Sequence, residues 1–138
     1  MTMEQVTMAA MVAQARTRVE GLSPTEVSAA LDGETLLVDV RERDEVERDG
    51  FLPGAVFAPR GLLELWVDLD SPDHRQEFYP ARRIILYCDT GIRAALAADT
   101  MRRMGYWRTA YLEEGLEAWV GEGRATGGSE KEREGDRK

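Results

Sequence analysis

A chain of 138 residues, 43% apolar and 32% charged, has the length of one domain and the composition of a folded globule rather than a disordered segment. Its formal net charge of −8 excludes nonspecific nucleic-acid binding, which needs clustered positive charge, and disfavours an anionic membrane surface. The single cysteine excludes an internal disulfide and a cysteine metal cluster, and it fits the reducing cytoplasm.

The N-terminal stretch "VTMAAMVAQA" has no basic region before its apolar residues, so it is read as part of a helix rather than as a signal peptide. Met8, Met11, Val12, Ala15 and Val19 recur at helical spacing and predict an amphipathic helix over residues 3 to 17. Ser23, Pro24 and Glu26 make a capping box with proline in the first helical turn, and Asp32-Gly33 stops the helix that follows. "LLVDV" (36–40) is a short β-branched run, read as a buried strand. The charged "RERDEVERDG" reads as a loop with one short helix. "GAVFAP" (54–59) reads as a second strand and "GLLELWVDLD" as a short helix. "RRIILYC" (82–88) is the strongest strand signal. "RAALAADTMRRMG" is a helix ended by Gly105, "RTAYL" (108–112) a shorter strand, and "EGLEAWVGEG" a last helix. No membrane-length apolar run occurs, since a span needs about 18 such residues. The chain divides into an N-terminal helical extension (1–20), one domain (21–123) and a charged tail (124–138) with no apolar periodicity. Strands alternating with helices imply a parallel sheet covered on both faces, with ligands at the carboxyl ends of the strands.

Cys88 falls at such an end. A lone cysteine is usually an inert, buried small hydrophobe. The neighbours argue otherwise. Asp89, Thr90 and Gly91 form a tight loop that runs directly into a helix, whose first N–H groups lack partners within the helix. Those groups and the helix dipole would face the sulfur and favour its thiolate, and Arg93 adds a fixed positive charge. Such a loop is an anion cradle around a nucleophile. Arg60 follows the strand "GAVFAP" and is a candidate to line the same mouth. His74, the only histidine, is read as solvated within "DSPDHRQE", so Cys–His catalysis and a metal site have little support. Trp66, Trp107 and Trp119 are read as core or half-buried.

"YCDTGIRA" resembles the active-site loop of rhodanese-like sulfurtransferases, C-x-x-G-x-R followed by a small residue. "LLVDVRERDEVERDG" resembles the family's Asp-x-Arg signature with its following acidic residues. "FLPGAVFAP" resembles its H-I-P-G-A-x-x-x-P segment, and "YLEEGLEAWVGEG" its closing L-x-G-G-x-x-A-W motif. The likeness spans residues 21 to 123, and "APRGLLELWVD" resembles a subgroup of single-domain bacterial members. Two departures stand out: Phe51 or Leu52 occupies the place of the family's histidine, and Glu114 replaces the first glycine of the closing motif.

The resemblance implies an α/β single rhodanese-like domain, with a central parallel five-stranded sheet and helices on both faces. It makes Cys88 the nucleophile of a ping-pong sulfur transfer. Arg93 joins it in catalysis, and Asp89, Thr90, Gly91, Ile92 and Arg60 surround the substrate. Asp39 and Arg41 are read as structural, tying neighbouring loops together. No cofactor and no metal are implied. The partners are small-molecule or protein sulfur donors and acceptors, thiosulfate among the donors, and the N-terminal helix is a candidate homodimer interface. Two rivals are a non-enzymatic binding or persulfide-sensing module and a phosphatase or arsenate reductase. The second is disfavoured because four residues separate Cys88 from Arg93 where a phosphate cradle uses five.

Overall fold

The computed structural model describes residues 4–128. Five parallel strands form one sheet in the order β1-β5-β4-β2-β3. They are β1 (Glu20–Leu22), β2 (Leu36–Asp39), β3 (Val56–Phe57), β4 (Ile84–Tyr87) and β5 (Thr109–Leu112). The helices are α1 (Met8–Arg18), α2 (Pro24–Ala30), α3 (Arg43–Asp49), α4 (Leu63–Val67, entered by a 3₁₀ turn at Arg60–Leu62), α5 (Ile92–Arg103) and α6 (Gly115–Gly121). Among the described residues no helix is long and apolar enough to cross a membrane.

Alternation along the buried strands sorts two cores. Leu36, Val38, Ile84, Leu86 and Cys88 face one side, where α1, α4 and α5 supply Val12, Ala15, Leu63, Ala94, Ala98 and Met101. Leu37, Ile85, Tyr87, Ala110 and Leu112 face the other, with Val27 from α2 and Leu116 and Trp119 from α6. Strands buried on both faces explain the consecutive apolar residues Leu36, Leu37 and Val38 of β2 and Ile84 to Tyr87 of β4.

Several elements differ from the sequence reading. The first helix begins at Met8, because the Thr7 hydroxyl accepts the Ala10 N–H at 3.0 Å and caps it there; Met3 lies outside the described residues. Met8 and Met11 are exposed, while Val12 and Ala15 are buried. The face that packs is spent on α5, where Arg18 makes two hydrogen bonds to Asp99 at 2.9 and 2.7 Å. The Asp99 carboxyl is held down at about 2, chiefly by Arg18 and against its own burial. β1 does not announce itself in the sequence: it is three residues long, pairs among the described residues with β5 alone and runs straight into the Ser23 capping box. His74 is half-buried with Nε2 2.8 Å from the Phe78 carbonyl oxygen, rather than solvated. Trp107 is 71% exposed rather than core or half-buried.

Residues 124–128, the start of the segment read as a charged tail, are tied to the domain. Phe51 and Gly127 exchange two backbone hydrogen bonds of 2.8 and 2.9 Å, and the Trp119 indole donates to the Ala125 carbonyl at 2.9 Å. Residues 129–138 lie outside the described residues.

Candidate active site

Cys88 directly follows β4 and has no exposed surface. Its Sγ accepts the backbone N–H of Gly91 at 3.1 Å and of Ala94 at 3.4 Å. Gly91 caps α5 at φ 97°, a left-handed conformation that side chains disfavour, and Ala94 is the third residue of the helix. The sulfur therefore sits where unpaired helix-start N–H groups converge, a place suited to an anion.

This loop is locked to the one that leads into α6. Leu116 N–H donates to the Cys88 carbonyl at 2.9 Å and Glu117 N–H to the Asp89 carbonyl at 3.0 Å. The contact is so close that a Cβ on Gly91 would stand 2.0 Å from the Glu113 carbonyl oxygen. A Cβ on Gly115, itself at φ 71°, would stand 2.4 Å from the Asp89 carbonyl oxygen. Glu114, the departure from the closing motif, has φ −109° and ψ 8°, so its backbone does not require glycine. The constrained position is Gly115.

Arg93 is engaged by two carboxylates. Its guanidinium makes a bidentate pair with Glu45 at 2.8 and 2.7 Å and a third bond to Asp89 Oδ1 at 3.0 Å. The Arg93 hydrogen bonds hold the Glu45 carboxyl at about 2, well below the ordinary carboxylate range. Burial pushes the Asp89 carboxyl up, but the Arg93 bond and charge outweigh it and leave it lowered. Glu45 raises Arg93 most, so its charge is permanent. Asp89 points outward and is half-exposed, bonded also to its neighbour's N–H at Thr90. Thr90 is exposed, and Ile92 is half-buried against the core. Arg60 is not brought to the loop. It bonds Glu64 at 2.6 Å and Thr100 at 3.2 Å, and Thr100 lies about 12 Å along α5 from Ile92.

Glu45 was not singled out from the sequence. The signal was present in the acidic residues after "DVR", but its partner is 48 positions away. Beneath it, Asp39 and Arg41 form a buried pair, with Arg41 donating Nε to Oδ1 at 3.0 Å and Nη2 to Oδ2 at 2.7 Å. Arg41 Nη2 also donates to the Gly50 carbonyl at 2.6 Å, tying β2 to the loop after α3. Leu52 is wholly buried, with its N–H donating to the Tyr87 hydroxyl at 3.0 Å. Neither it nor Phe51 supplies an imidazole. Burial, more than any neighbouring charge, drives the Tyr87 phenol upward, so it stays neutral and available as that acceptor.

A groove of about 890 Å³ runs beside the loop between α3 and α6. Glu45, Asp49, Asp89 and Glu117 line it, together with Leu116 and Val120. Arg48, also at its edge, is paired with Asp49 at 3.1 Å. Cys88 lies under the loop and does not line the groove.

Comparison with known proteins places this arrangement. The chain is 30% identical over 100 residues to the probable adenylyltransferase/sulfurtransferase MoeZ of Mycobacterium tuberculosis, a match over 72% of this chain and 24% of that protein. The chain thus spans about a quarter of that relative's length. It is 30% identical over 90 residues to a sulfurtransferase of Allochromatium vinosum, covering 65% of this chain and 76% of the relative. A solved structure from Rhodopseudomonas palustris, of unknown function and described as a possible tyrosine phosphatase, superposes with a TM-score of 0.82. That protein is 34% identical, over 91% of this chain and all of its own. With the model of the rhodanese-like domain matching residues 23–122, the cysteine loop and its five-stranded parallel sheet place the chain in the rhodanese-like family.

Proposed function

We propose that the protein transfers sulfane sulfur through a persulfide on Cys88. The Cys88 thiolate attacks the sulfane sulfur of a donor. A new S–S bond forms to Cys88, the donor's own bond to that sulfur breaks, and the leaving group departs with the electron pair, as sulfite when the donor is thiosulfate. A thiophilic acceptor, such as cyanide or a thiolate, then takes the outer sulfur and returns Cys88 as its thiolate. The observation that carries this reading is the pair of N–H groups, from Gly91 and Ala94, aimed at Sγ. They stabilise an anionic sulfur before and after transfer without a general base. Because Cys88 has no exposed surface, a donor reaches it through local opening of the 89–92 loop. Arg93 positions that loop through Asp89 and Glu45.

Phosphoryl chemistry, suggested for the Rhodopseudomonas protein, fits this loop poorly. Four residues separate Cys88 from Arg93, and the guanidinium is already held by two carboxylates. A binding-only module would have no use for a nucleophile set under convergent N–H groups. The lone cysteine fits a reducing, cytoplasmic setting.

The test is a donor panel with cyanide as acceptor, read as thiocyanate. Wild type should turn over at least one sulfane donor, and Cys88→Ala should give only background. Equal thiocyanate from the two proteins would exclude Cys88 as the carrier.

A further inference from the structure

The charges around Cys88 select among sulfur donors. Arg93, the cation expected to draw in anions, is neutralised by Glu45 and over-neutralised by Asp89. Arg48 is likewise spent on Asp49. Glu117 lines the groove as well, so four carboxylates outnumber the two guanidinium groups around it. The remaining attraction for an anion comes from backbone N–H groups, which act at contact distance on the sulfur alone. The whole chain adds no long-range pull, since its net charge is −8. A donor's remote charge therefore meets a negative rim, while its sulfane sulfur meets a short-range cradle.

Building on the sulfur transfer proposed above, we infer that Cys88 takes sulfur preferentially from donors with a cationic group near the sulfane sulfur, over dianions such as thiosulfate. Glu45 is the positioning residue that sets this preference. It neutralises Arg93, is mostly buried, and pairs through both of its oxygens.

The experiment uses three donors with the same reacting bond. Thiosulfate carries two negative charges, methanethiosulfonate one, and zwitterionic 2-aminoethanethiosulfonate none net. In each, the Cys88 thiolate bonds to the sulfane sulfur and sulfite or a sulfinate leaves with the electron pair. For the 138-residue chain, kcat/KM should rise along that order, with most of the change in KM, and added salt should compress the spread. Glu45→Gln should shift the ratio of thiosulfate to 2-aminoethanethiosulfonate toward thiosulfate by on the order of fivefold, the size of a Coulomb term through water over several ångströms. Asp89→Asn should shift it in the same direction, which guards against loop damage in the first variant. A merely structural role would lower all donors together and leave the ratio in place, and that result overturns the inference. So does Cys88-dependent transfer with no charge preference in wild type, although sulfur transfer itself would then stand. No Cys88-dependent transfer from any donor would remove both readings.

Discussion

Gly91 and Gly115 lie across one contact, each giving up the side chain that would force the cysteine loop away from the start of α6. The Gly91 Cβ position is 2.0 Å from the Glu113 carbonyl oxygen, and that of Gly115 is 2.4 Å from the Asp89 carbonyl oxygen. With both positions occupied by hydrogen, Leu116 and Glu117 can donate to the carbonyls of Cys88 and Asp89. The strand end that carries the sulfur is thereby fixed by a second loop.

Alanine at either glycine meets both backbone strain and a clash. Gly54 separates the two effects: its φ is +82°, but nothing lies within 4 Å of its Cβ position. Gly54→Ala should cost about 1 kcal/mol, the penalty for a left-handed residue, while Gly91→Ala and Gly115→Ala should each cost about 3 kcal/mol or more. Urea denaturation measures all three. Equal losses would mean that the loops can separate without cost.

Two carboxylates predict the acid limb of stability. Glu45 and Asp99 are each held at about 2 by arginine partners, below their unfolded values near 4. A depressed folded-state value stabilises the fold above the unfolded value, and the contribution fades as pH falls through the folded one. Wild-type stability should therefore drop as pH falls from about 4.5 to 2, by about 2 kcal/mol for Glu45 alone. Glu45→Gln combined with Asp99→Asn should be less stable near neutrality and should lose much less across that window. A parallel loss in both proteins, followed by urea midpoint, would contradict the assignment.

The buried Asp39–Arg41 pair should resist single removal far more than joint removal. Arg41→Ala leaves a carboxylate wholly buried without its cation and should cost about 3 to 5 kcal/mol. Replacing both together, as Asp39→Leu with Arg41→Met, should recover most of that loss. A double-mutant cycle in urea reads the coupling, and simple additivity would show that the two charges act independently.

Truncation divides the C-terminal segment in two. Ending the chain after Gly128 removes mainly charged and small residues with almost nothing to bury, so the melting temperature should barely move. Ending it after Gly123 also removes the Phe51–Gly127 bridge and the acceptor of the Trp119 indole, at about 2 kcal/mol. Indistinguishable melting of the two forms would show that this strap contributes nothing.

How much of this was legible depended on the range of each interaction. β2, β4, β5 and α5 were visible because their burial writes itself into local apolar runs and helical spacing. β1 was not, since three residues ending at a helix cap carry no periodicity of their own. The cysteine loop was legible as a local pattern: a strand end, turn residues and a helix start. What Arg93 does with its charge was not, because Glu45 reaches it from a different crossover of the sheet. Arg60 follows β3 near the mouth, but Glu64, four residues on, and Thr100, forty residues on, take its guanidinium. The N-terminal helix looked like an appendage because the Arg18–Asp99 pair that fixes it spans 81 positions.

The central claim is that sulfur rides on Cys88. Its most direct measurement is the intact mass of the protein after one exposure to a sulfane donor, with excess donor removed, before and after cyanide. Wild type should gain the mass of one sulfur atom, localised by peptide mapping to the segment containing Cys88, and lose it to cyanide with one equivalent of thiocyanate formed. Cys88→Ser should gain nothing. Added sulfur on the serine variant, or a donor consumed by wild type with no sulfur on Cys88, would contradict the account.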